Sequence, residues 1–101
     1  MVLVEEGPWP EADLDTNLQR LQERLYNCID AAIEGKIADQ FPESRGRPIS
    51  LQLDAYNLPQ EVAEFFERFA SGVLNLPQYA AALGQSTGVS GIGFKLNFKQ
   101  I

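Results

Sequence analysis

Glu23, Asp30 and Glu34 follow one another at steps of seven and four, which sets three carboxylates on one face of a helix. Such a face could hold Mg²⁺ or Ca²⁺ if further oxygens completed the shell. The plainer account is a solvated acidic face available to a basic partner. Arg45 and Arg47 lie in the turn-rich segment Phe41-Pro42-Glu43-Ser44-Arg45-Gly46-Arg47-Pro48. Their guanidinium groups could hold a carboxylate or phosphate bidentately, or answer acidic neighbours in a solvated loop. Trp9 is the only tryptophan and is held between Pro8 and Pro10, either folded back over a helix or offered as a partner anchor.

Chemistry beyond this is sparse. The chain has no histidine, so no ordinary Ser/His/Asp or Cys/His arrangement and no histidine metal ligand can form. Its one cysteine, Cys28, cannot make an internal disulfide or a cysteine-rich zinc site, and it falls in an apolar stripe where it acts as a small hydrophobe. The glycine-rich stretch from Gly84 to Gly93 follows a helix and enters a strand, the reverse of a phosphate loop, and it lacks the Walker lysine. No cofactor, no metal and no enzymatic activity are therefore expected. A ligand-binding or catalytic alternative would need one pocket that gathers Tyr56, Tyr79, Arg45 and Arg47.

The acidic face belongs to the helix that organises the chain. Leu14, Leu18, Leu21, Leu25, Cys28 and Ala32 recur at steps of three and four, with Ile29 and Ile33 widening the stripe. The spacing predicts a helix from Leu14 to about Glu34, stopped by Gly35. Ile49, Leu51, Leu53 and Ala55 then alternate with polar residues as a half-buried strand does. Asn57-Leu58-Pro59-Gln60 and Asn75-Leu76-Pro77-Gln78 repeat one tetrapeptide, which predicts two helix starts with asparagine caps and proline in the first turn. The first helix carries Val62, Phe65, Phe66 and Phe69 inward, and the second, about Leu76 to Leu83, is short and alanine-rich. Ile92, Phe94, Leu96 and Phe98 form a final alternating strand, whose Lys95 or Lys99 could face Asp54 across the sheet.

The fold expected is α+β, with a long N-terminal helix, a strand, two helices and a C-terminal strand (α-β-α-α-β), a small sheet packed on helices. Residues 1–101 read as a single domain, with 1–12 a flexible arm or a short edge strand through Val2, Leu3 and Val4. Two strands alone are marginal, which favours a homodimer. A net charge of −6, with fourteen carboxylates against eight basic residues, argues against nucleic acid. No stretch suits a membrane span or signal peptide, so no membrane partner and a cytoplasmic location are expected. The functional expectation is a protein-interaction or regulatory module acting as a homodimer. An acidic inhibitor or immunity-type protein masking a basic partner is the first alternative, and a small-ligand or enzymatic subunit the second.

Overall fold

Leu21, Leu25, Ile29 and Ala32 lose all solvent contact along one side of a helix that runs Leu14–Ile33 (α1). The apolar stripe is therefore core, packed on a sheet, and not a seam awaiting a second helix. Gly35 ends α1 in the left-handed region at φ 85°, where a side chain would be strained, and the chain restarts as a short helix, Lys36–Gln40 (α2). The computed structural model describes residues 1–100.

Three strands make the sheet: Val2–Glu6 (β1), Arg47–Tyr56 (β2) and Val89–Lys99 (β3), in spatial order β1-β2-β3 and parallel throughout. Helices Gln60–Gly72 (α3) and Pro77–Gln85 (α4) follow β2. The small sheet packed on helices and the broad order from the long helix onward match the expected α+β arrangement, with the short α2 inserted after α1 and a strand, β1, in front. Parallel neighbours need long crossovers, and here each crossover carries helices. Two right-handed crossovers that advance in the same direction across a sheet lay their helices on the same face.

Burial follows that geometry. Leu51, Leu53 and Ala55 of β2 are fully buried under the helices, with Val62 and Phe66 of α3 above them. Phe94 of β3 meets Phe66 and Phe69 edge to face at 6.3 and 6.2 Å. The opposite face has no cover. Ser50, Gly93, Lys95 and Lys99 are exposed there, and Val2 and Val4 keep 57% and 48% of their surface. The thinnest Cα dimension, 17 Å, has room for two layers only.

The capping expectation is corrected. Asn57 takes the left-handed conformation at φ 58°, and α3 starts only at Gln60, with Pro59 at the cap position and no side-chain cap. Asn75 turns back instead, its amide donating to the Ser71 carbonyl at 3.1 Å, while α4 begins at Pro77. An asparagine tolerates the left-handed turn that leaves a strand, which competes directly with capping. Among the described residues no helix is long and apolar enough to cross a membrane.

Candidate functional site: the bare face of the sheet

Alternation along three parallel strands sends Val2, Val4 and Glu6, then Ser50, Gln52, Asp54 and Tyr56, then Gly93, Lys95, Asn97 and Lys99 to the uncovered face. The register sets them in rows. Val2, Gln52 and Lys95 share one row; Val4, Asp54 and Asn97 the next; Glu6, Tyr56 and Lys99 the third. The face is therefore apolar and acidic along β1, basic along β3, and hydrogen-bonded between.

Asp54 is the hub of that middle. It accepts from the Gln52 amide at 2.8 Å and from the Asn97 amide at 2.9 Å. Those two bonds, helped by the charges of Lys99 and Lys95, hold its carboxyl below the usual aspartate range. Asn97, not a lysine, stands directly opposite Asp54, so the expected cross-strand ion pair is replaced by an amide contact with lysines one row away on either side.

Glu5 points the other way, under α1. It is 5% exposed, yet it takes both Arg20 nitrogens at 2.8 and 2.9 Å and a further, short hydrogen bond from Arg24. Burial alone would raise the Glu5 carboxyl; the hydrogen bonds and charges of the two arginines outweigh it and hold it low. Arg20 lies over the Trp9 ring at 5.7 Å from its centroid, and Trp9 is half-buried against the core. Trp9 thus belongs to the clamp that joins β1 to α1.

The acidic candidates are dispersed in role. Glu23 is exposed, Asp30 accepts from the Tyr79 hydroxyl at 3.1 Å, and Glu34 pairs with Lys36 at 3.1 Å. Among the described residues no three His, Cys, Asp or Glu side chains gather so as to hold a metal ion. Arg45 reaches Asp39 at 2.7 Å, an acid of the neighbouring short helix, while Arg47 opens β2 and is exposed. Tyr56 closes that same strand, nine residues on, which is about 30 Å at the rise of a strand. Tyr56 lines a depression of about 440 Å³ with Glu6, Gly7 and Asn57, whereas Tyr79 lines another with Asp30 and Glu34. The four residues of the ligand-site alternative are not brought together. Burial first, then Asp30, pushes the Tyr79 phenol up to about 12, and burial pushes the Cys28 thiol above its usual value.

Val2, Val4, Glu6, Gln52 and Asn97 were not singled out by sequence. The available signal was the polar side of the two alternating strands, which needed the position of β1 to become a surface. Comparison with family models, with curated proteins and with solved structures gives no match to this chain.

Proposed function

We propose that the protein is a non-enzymatic interaction module that pairs with a second copy of itself through the bare face of its sheet. One observation carries the reading: an all-parallel sheet, the kind that is ordinarily covered on both sides, here has helices on one side only. The charge layout favours a second copy as the cover. A two-fold axis parallel to the strands, between stacked faces, lays β1 of one protomer over β3 of its partner with the rows level. Glu6 then meets Lys99 twice, Val4 meets Asn97, and Val2 lies on the aliphatic stem of Lys95. The perpendicular axis would stack β3 on β3 and set lysine against lysine.

The face is small. At strand spacings of about 4.8 Å and a rise of about 3.3 Å, it buries roughly 700–900 Å² over both copies, below the ~1,200 Å² of stable complexes. Association is accordingly weak and concentration-dependent. Sedimentation from low-micromolar to near-millimolar protein tests it. A mass that rises toward two chains, falls back with Lys99→Glu and returns in the Glu6→Lys/Lys99→Glu double variant is the expected result. A single-chain mass throughout, or indifference to Lys99→Glu, refutes it.

A second reading has one observation behind it. Asp30, Glu34, Gln78 and Tyr79 border a depression of about 420 Å³ between α1 and α4, acidic and partly apolar, suited to a lysine or arginine of a basic partner. Salt-sensitive capture of that partner, lost in Glu34→Lys, would favour it over self-association.

A further inference from the structure

The outer edge of β3 is long and apolar on one side, and its backbone polarity is legible. The Lys99 carbonyl accepts from the Asn57 N–H at 2.8 Å, so Lys99 directs its peptide groups toward β2. Along a parallel ladder that direction alternates, which turns the N–H and C=O groups of Phe94, Leu96 and Phe98 outward to an edge that no other strand in the described residues occupies. The same residues send their side chains to the helix side. There Phe94 and Leu96, with Phe66, Glu67, Ala70 and Ser71 of α3, line a groove of about 410 Å³, apolar at its phenylalanines and polar at Glu67 and Ser71. On the other side of the edge stands Lys95, exposed, with no carboxylate in salt-bridge range among the described residues and Asp54 one row away on β2.

We infer that the β3 edge accepts an extended segment of another protein as a fourth strand, one that alternates apolar with acidic residues. The backbone groups of Phe94, Leu96 and Phe98 supply the ladder. Apolar side chains of the added strand fall into the groove beside Phe66 and Ala70, and its acidic side chains, on the opposite side, lie against Lys95. Antiparallel pairing of β3 with a second copy centred on Asn97 sets Lys95 against Lys99, which disfavours that register for self-association through the edge. This surface is the edge and not the face, so it stands or falls apart from the dimer.

The test uses the full chain and three acetylated ten-residue peptides: valine alternating with glutamate, valine alternating with lysine, and the first with proline at two central positions. Amide hydrogen exchange is followed by NMR while affinity is measured by titration. The Phe94, Leu96 and Phe98 amides exchange fast in the free protein and slow at least about tenfold with the valine–glutamate peptide, as a newly paired strand does. The valine–lysine peptide binds about threefold to tenfold more weakly, the order reverses in Lys95→Glu, and the proline peptide does not bind. Ala70→Arg, which fills the groove from a half-buried position that lines it, abolishes binding without changing the circular dichroism spectrum. Equal affinity for both charged peptides, binding that leaves those three amides unprotected, binding that survives Ala70→Arg, or no binding by any peptide overturns the inference.

Discussion

Glu5→Gln removes one charge and almost no volume, and the structure gives its cost. The Glu5 carboxylate accepts three charge-assisted hydrogen bonds, two from Arg20 and one from Arg24, with only 6% of its side chain in water. Each such bond contributes about 1.5–3 kcal/mol where both partners are buried. Arg20 and Arg24 keep 46% and 38% of their side-chain surface, so they turn to solvent when the carboxylate is gone, and much of that sum is recovered. The net loss at neutral pH comes to about 2–3 kcal/mol, a fall in Tm of roughly 10–20 °C for a domain of this size.

The reverse deletion is harsher. In Arg20→Met/Arg24→Met the acid stays buried without a partner, which costs about 3–5 kcal/mol. The two variants also part company in pH. In the wild type the folded Glu5 carboxyl lies below its unfolded value, so its contribution is complete above about pH 4.5 and disappears as pH falls through the folded pKa. With both arginines removed only burial acts on Glu5, its carboxyl rises, and stability declines as pH rises past the unfolded value. Urea unfolding followed by Trp9 fluorescence, at pH 7 and pH 4, measures both signs at the site itself. A Glu5→Gln variant within about 0.5 kcal/mol of wild type, or a double arginine variant with the wild-type pH slope, would refute the clamp.

Three further expectations follow from single positions. A Cβ on Gly7 would lie 2.2 Å from the Asn57 carbonyl oxygen, so Gly7→Ala costs about 2–3 kcal/mol in urea unfolding, whereas Gly84→Ala, within α4 and with nothing inside 4 Å, gains about 0.5–1 kcal/mol. Tyr79→Phe loses the bond to Asp30 and about 1 kcal/mol at neutral pH. Because the folded phenol is raised to about 12, its contribution is complete below the unfolded value near 10 and disappears as pH rises through 12; ultraviolet titration shows it moving back toward 10 in Asp30→Asn.

The helix α1 and the strands β2 and β3 were legible because each has one wet and one dry side, which writes a period of 3.6 or 2 into the chain. The first strand obeys no such rule. Its helix-facing residues are Leu3 and Glu5, and its outward residues are Val2, Val4 and Glu6, so apolar and charged types occur on both sides. A buried glutamate is readable only with its answering cations, and these lie on another element, Arg20 and Arg24 at a step of four beside the apolar stripe. Strand direction left a trace that pattern alone did not weigh: each pair of neighbours is separated by more than thirty residues containing helix, as a parallel crossover requires. The bare face needed both facts, the place of β1 and the common direction, before its residues became one surface.

The strand order also bears on the kind of function this chain can carry. In open parallel sheets, ligand crevices form beyond the carboxyl ends of the strands where the order reverses and neighbouring crossovers part to opposite faces. Here the order runs β1-β2-β3 without reversal. The carboxyl ends are instead drawn together, the Gly7 N–H donating to the Tyr56 carbonyl and the Asn57 N–H to the Lys99 carbonyl, both at 2.8 Å, with the Gly7 backbone seated against Asn57. What remains there is the open depression of about 440 Å³ beside Glu6, Gly7, Tyr56 and Asn57, at the ends of neighbouring strands and not in a crevice between parted crossovers. What the same topology leaves open is area: one uncovered face with acid on β1 and base on β3, and one free edge backed by phenylalanines. The proposed self-association and strand addition each draw on one of these two features, the face and the edge, and each is tested separately.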